Sequence, residues 1–271
     1  MRVIPVIDLM GGQVVRGLGG QRELYRPIRS QVAADAQPGT VARAFVERFG
    51  LDTAYVADLD AITCQFDDQP LFVPAYQRIA EAGLSLWLDA GIGTPARARQ
   101  IRRKVQTAAL DVHYVVGLET LAPERELTAI AEELGRERTI FSLDLKHGQP
   151  LTQVVRWLAA DPVEIVFGVL ASGISRVIVL DLADVGMQAG TGTLSLCRQI
   201  RAEYGAAVEL IAGGGVRGLD DLKALADAGC DAALVASALH DGRLSDSDVQ
   251  TLQTYQPANW RQRVADRFDQ D

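Results

Sequence analysis

The sequence predicts an α/β fold, a closed (β/α)8 TIM barrel with an internal half-barrel duplication. Three observations predict it. Short β-type runs alternate with amphipathic helical segments along the chain, the runs number eight, and the last four repeat the special residues of the first four in order. Eight parallel strands can close on themselves, and strands covered on both faces read as near-continuous apolar runs. The competing architecture, a doubly wound open sheet, usually places Gly-x-Gly-x-x-Gly and a helix after its first strand. Here Gly11-Gly12 opens a long loop instead.

In chain order, the strands fall at Val3–Asp8, Thr53–Asp60, Leu84–Ala90, His113–Leu118, Thr139–Leu145, Arg176–Leu182, Ala207–Ala212 and Ala232–Ala236. Between them, apolar residues at i, i+3, i+4 spacing predict helices over Thr40–Phe49, Leu71–Ala82, Pro95–Lys104, Pro123–Leu134, Pro162–Ala171, Gly192–Tyr204 and Leu219–Ala228. An eighth follows over Ser245–Tyr255. Thr94 before Pro95 and Asp161 before Pro162 are N-cap signals, because a side-chain oxygen can accept an otherwise unpaired N–H of the first turn. Gly50, Gly83, Gly135, Gly173, Gly205 and Gly229 each follow a helix where a left-handed stop is needed. One barrel is expected over residues 1–255, as halves of about 1–135 and 136–255, then a polar tail over 256–271. Trp260 in that tail is expected to dock on the barrel.

Composition narrows the function. The 271 residues are 48% hydrophobic, ample for a core, and the formal net charge of −8 argues against nucleic acid as the main partner. Cys64, Cys197 and Cys230 are odd in number and lack metal-like spacing, so no disulfide framework or metal site is expected. No apolar stretch approaches the twenty or so residues of a membrane span, and no cleavable leader is evident. A cytoplasmic protein with no membrane partner is expected, and no signal for an oligomeric state is present.

The chemistry is concentrated at strand ends. VIDLMGGQ on strand one is echoed by SLDLKHGQ on strand five, VADLDAI by VLDLADV, LDAGIGT by IAGGGVR, and VVGLETL by LVASALH. Strands one and five stand opposite each other in an eight-strand barrel, so Asp8 and Asp144 are expected to face one another across the C-terminal mouth, where barrel active sites lie. Gly213, Gly214 and Gly215, with Ala236 and Ser237, are expected to present backbone N–H groups to a phosphate. By symmetry Gly91, Gly93, Thr94 and Gly117 form a second cradle. The expected ligand is a small molecule with a phosphate at each end and its reacting centre between two aspartates. The long segment from Gly11 to Gly39 carries Arg16, Arg22, Arg26 and Arg29 among glycines and reads as a lid, with Arg16 and Arg22 as ligand contacts. Lys146, His147, Asp181 and Asp184 are further candidates to line the mouth. For Asp58, Asp60, Asp89 and Asp181 a structural role weighs equally. His113 and His240 read as a strand-start residue and a turn residue.

The phrases IDLMGGQVVRG, VADLDAI, SLDLKHG, LIAGGGVRGLDDLKAL and ALVASALHDGRL resemble the histidine-biosynthesis barrel family over Met1 to Leu244, nearer its isomerase branch than its cyclase branch. The resemblance implies an Amadori rearrangement of an aminoaldose to an aminoketose without cofactor or metal, on the phosphoribosylformimino-aminoimidazole-carboxamide ribotide. It implies Asp8 as the base and Asp144 as the acid. It also marks departures. The family's Thr-Asp-Ile is Leu180-Asp181-Leu182, and its Asp-Gly-Thr is Val185-Gly186-Met187 with an aspartate displaced to Asp184. Its Gly-Gly-Gly-Ile-Arg is Asp89-Ala90-Gly91-Ile92-Gly93, and a strand-eight glycine is Ala236. These changes fall on ligand-facing ends. They leave open a relative acting on another phosphorylated compound, as with members linked to one-carbon cofactor pathways, or a barrel that only binds.

Overall fold

A computed structural model describes residues 1–63, 71–121, 127–187 and 190–257. Eight parallel strands close into a barrel: β1 (Arg2–Met10), β2 (Thr53–Asp58), β3 (Ser85–Asp89), β4 (Val112–Gly117), β5 (Thr139–Lys146), β6 (Arg176–Asp181), β7 (Glu209–Gly213) and β8 (Ala232–Val235). Each pairs with the next, and β8 returns to β1 through the Arg2↔Ala232 to Pro5↔Val235 register. Among the described residues the longer helices lie outside: α1 (Pro38–Phe49), α2 (Val73–Glu81), α3 (Pro95–Thr107), α4 (Leu127–Leu134), α5 (Pro162–Ala171), α6 (Leu194–Tyr204), α7 (Leu219–Asp227) and α8 (Asp246–Thr254).

Alternate strand residues face two different cores. Ile4, Tyr55, Trp87, Val115, Ile140, Ile178, Ile211 and Leu234, one from each strand, fill the barrel interior. Their neighbours in sequence pack outward against the helices with Phe45, Tyr76, Ile101, Ile130, Val166 and Leu225. Both faces are covered, which is why the strands carry so few polar residues.

The helix signals act as their chemistry requires. Thr94 Oγ1 accepts the Arg97 N–H at 3.1 Å, and Asp161 Oδ1 accepts that of Val163 at 2.8 Å. Ser245 and Asp248 form a reciprocal capping box on α8. Gly50 ends α1 at φ +64°. Of the cysteines, Cys197 and Cys230 are buried free thiols; Cys64, the α4 start predicted at Pro123, Trp260 and nearly all of the predicted tail lie outside the described residues.

Three stretches differ from the sequence expectation. Strand β2 stops at Asp58, whose Oδ1 accepts the Ala61 N–H at 3.0 Å and turns Leu59–Thr63 into a short helix. Strand β7 starts at Glu209, because Gly205–Ala207 forms a 3-10 turn. The loop after β1 begins as a hairpin. Gln13–Val15 pairs antiparallel with β1 around Gly11 and Gly12, at φ +56° and +76°. The same device follows β5, where Lys146 pairs with Gln149 around His147 and Gly148, at φ +52° and +76°. A two-residue hairpin with positive φ at both positions suits glycine, and the Gly-Gly-Gln and His-Gly-Gln echo is therefore turn chemistry.

Candidate active site

The inward-facing residue at the top of each odd-numbered strand is Asp8 on β1, Asp89 on β3, Asp144 on β5 and Gly213 on β7. Register and parity decide this, since Asp8 aligns with Ala57 and Ala57 with Asp89, while Asp144 aligns with Leu180 and Leu180 with Gly213. Asp8, Asp89 and Asp144 all line one cavity at the C-terminal mouth, about 190 Å³ in volume. Overlaying LDAGIGT on IAGGGVR letter by letter would set Asp89 against Ala212; the alternation of inward and outward positions sets it against Gly213 instead.

The three acids are held differently. Asp144 accepts the Ser142 hydroxyl at 2.6 Å on Oδ1 and the Glu119 N–H at 3.1 Å on Oδ2. Asp89 accepts the Tyr55 hydroxyl at 2.9 Å and the Gly91 N–H at 3.2 Å. The Asp8 carboxylate makes no hydrogen bond or ion pair among the described residues and opens onto the cavity. Burial disfavours the charged form of each. It lifts Asp8 to about 7, against the pull of Arg22 and with a push from the Asp89 charge. It lifts Asp144 to about 7, although the Ser142 bond opposes it, and Asp89 to about 6 against its Gly91 and Tyr55 bonds. The Tyr55 phenol is held well above its ordinary range by burial and by the charges of all three acids, so it remains a donor.

The loop after β1 closes over this floor. Arg16, Gly17, Gly20, Arg22, Tyr25 and Ile28 face the cavity, and Gly19 N–H donates to Val185 O at 2.7 Å across the mouth. A Cβ on Gly17 would stand 3.0 Å from Asp8 Oδ2, a tight contact that glycine avoids where the lid passes the carboxylate. Arg22 approaches Glu119 at 3.6 Å. Arg16 forms a two-armed ion pair with Asp241, which also takes Arg243 at 3.2 Å. Arg16 and Arg243 both line the cavity near Ser237 and His240. His240, expected to be a turn residue, is buried in a short helix. Burial and the Arg16 charge pull it down to about 4, so it is neutral at physiological pH.

Of the residues predicted from sequence, Asp8, Asp144, Gly117, Gly214, Gly215, Ala236, Ser237, Arg16 and Arg22 come together around the cavity. The others do not line it, for identifiable reasons. Thr94 spends its hydroxyl on the α3 cap, Gly93 is buried, and Gly91 packs on the Ala61–Ile62 backbone with its N–H on Asp89. Gly213 is screened by the Leu180 and Leu234 side chains. Asp181 is locked by the N–H groups of His147, Gly148 and Ala183, and so pins the second hairpin; Asp60 does the same for Gly11. Asp184 binds the Gly192 N–H at 2.9 Å, and Lys146 and His147 sit exposed at the hairpin tip. The sequence weighs Asp89 equally between a structural and a functional role and does not single out Glu119, Tyr55, Tyr25, His240 or Arg243 as site residues. Strand parity is the signal that would have found Asp89.

The model for the histidine biosynthesis protein family matches residues 2–245. The chain belongs to that family. Among its relatives, an uncharacterized protein of Methanocaldococcus jannaschii is 29% identical over 254 residues, covering 92% of this chain and 97% of the other. The isomerase of Syntrophomonas wolfei named for 1-(5-phosphoribosyl)-5-((5-phosphoribosylamino)methylideneamino)imidazole-4-carboxamide is 29% identical, with 92% and 97% coverage. The protein of the same name in Anaeromyxobacter sp. strain K is 31% identical over 255 residues, with 90% and 96% coverage. Among the described residues no helix is long and apolar enough to cross a membrane, and no acid, histidine or cysteine cluster could hold a metal ion.

Proposed function

We propose that this chain is an aldose–ketose isomerase that carries out an Amadori rearrangement of a phosphorylated aminosugar, first among them the ribotide named for its relatives. The observation that carries the reading is the pair Asp8 and Asp144, from opposed strands, in one cavity with both carboxyls lifted to about 7. Asp144 in its protonated form gives its proton to the ribosyl ring oxygen. The C1–O bond breaks as the nitrogen lone pair forms a Schiff base. Asp8, ionised, takes the C2 proton to give an enol-amine, and protonation at C1 as the 2-hydroxyl gives up its proton leaves the aminoketose. Apart from that ring opening, every step is a proton transfer. Two neighbouring acids that titrate near neutrality can divide the roles of donor and acceptor. Phosphate would be held at the β7–β8 end by Gly214, Gly215 and Ser237 with Arg16 and Arg243. Such an enzyme of small biosynthetic intermediates would work in the cytoplasm.

The test is turnover of the ribotide by purified protein, paired with rescue of a strain that lacks the histidine-pathway isomerase. Turnover abolished by Asp8→Asn and by Asp144→Asn supports the reading; turnover unchanged in both variants removes it. A second reading, the same chemistry on a different phosphorylated compound, is favoured by Asp89, a carboxylate at the inward position where β7 carries Gly213. Failure of both ribotide assays with retained binding of phosphate compounds would select it.

A further inference from the structure

The two ends of the cavity carry opposite chemistry. At the β8 end stand Arg16 and Arg243, and the Arg243 Nε is buried with no hydrogen-bond partner among the described residues. The N–H groups of Gly214 and Gly215 beside them are also unpaired among those residues. An anion there would gain several donors at once. At the opposite end, β3, the loop after β4 and β5 present Asp89, Glu119 and Asp144 to the same space, with Arg22 as the cation against Glu119 at 3.6 Å.

The ends of β3 and β7 differ in the same sense. The stretch Gly213-Gly214-Gly215 leaves backbone open at one end, whereas Asp89-Ala90-Gly91 puts a carboxylate inward and turns the Gly91 N–H onto that same carboxylate. Each Asp89 oxygen uses one lone pair, on Tyr55 and on Gly91, and keeps another for a donor in the cavity. An amine or hydroxyl finds acceptors here; a phosphate finds like charge.

We infer that the β3–β4 end is a subsite for a hydrogen-bond-donating, amine-bearing group, so that the ligand carries one phosphate, at the β8 end, rather than one at each end. The inference rests on the second reading given above and names its substrate class: a monophosphorylated amino compound.

Calorimetric titration at fixed ionic strength tests it with three probes: inorganic phosphate, glucosamine 6-phosphate and fructose 1,6-bisphosphate. The expected result is that the amino monophosphate binds about tenfold or more tightly than the bisphosphate. Asp89→Asn should remove that preference while leaving the affinity for inorganic phosphate within about twofold, since the asparagine keeps the shape and loses the charge. Glu119→Gln gives the same comparison should the first variant not fold. Equal or tighter binding of the bisphosphate, or equal loss of all three probes in the variants, would overturn the inference. Because binding is read without turnover, a barrel that shows the preference and isomerises nothing refutes the proposed reaction and leaves this inference standing. Turnover of a tightly bound bisphosphate does the reverse.

Discussion

Asp8 and Asp144 differ in their support, and the difference suits different work. Asp144 is gripped by a hydroxyl and an N–H, so its position is set before a ligand arrives, whereas Asp8 is free to meet a C–H bond. Asparagine at either position keeps the shape and loses the proton chemistry, and kcat is expected to fall by about 10²–10⁴ with the fold intact. Circular dichroism and steady-state rates check this together. The two acids act through the shared Asp89 charge, so the rate should follow a bell with its summit near pH 7 and apparent values that belong to the set. Asp89→Asn removes a charge that raises both neighbours and should move the bell toward lower pH. A profile that keeps its position in that variant would mean the three carboxyls do not sense one another.

Loops and hairpins, more than strands, set the access to these residues. Gly186 sits at φ +72°, and a Cβ there would collide with the Gly17 carbonyl, where the loop after β6 crosses the lid. Gly186→Ala should push the two apart, raise KM more than it lowers kcat, and lower stability by about 1–3 kcal/mol. Limited proteolysis across Gly17–Gly20 would report the loosened crossing; unchanged KM and cleavage would show the contact is dispensable. On the far side of the barrel, the buried Arg201 donates to the Gly205, Val208 and Gly229 carbonyls and pairs with Asp231 at 2.5 Å, tying α6 to β7 and β8. Arg201→Leu leaves those acceptors short and should lower stability by about 3 kcal/mol, read as a shift of the urea midpoint at constant slope.

The closed barrel stores the cost of its acidic floor. Asp8, Asp89 and Asp144 titrate near 7, 6 and 7 when folded, against 3.8 ordinarily. From pH 4 to 7 the folded chain therefore keeps protons the unfolded chain has lost, and these groups make stability fall as pH rises through that window. His240, held neutral with its value pulled from 6.5 to about 4, works the other way over much of the same window. The useful comparison is thus between variants. Relative to the parent, Asp144→Asn should gain about 2 kcal/mol on going from pH 5 to pH 7, measured by denaturant unfolding without ligand. No relative gain would mean that the carboxyl is not held raised by its surroundings.

By itself the sequence determined the framework: eight strands, their helices, the Thr94 and Asp161 caps, the glycine stops, and an aspartate at the end of β1 and of β5. Each of these is a local matter of period, capping or backbone freedom, so each is written in neighbouring residues. Only the tertiary structure decided which strand-end groups share the cavity. It brought in Asp89 and Arg243, shut out Thr94, and turned Lys146 and His147 to solvent. The physical reason is that inward parity, the register between strands and the crossing of the lid with the β6 loop are non-local. A residue one place along a strand faces the other core, and no single stretch of chain records where its neighbours end.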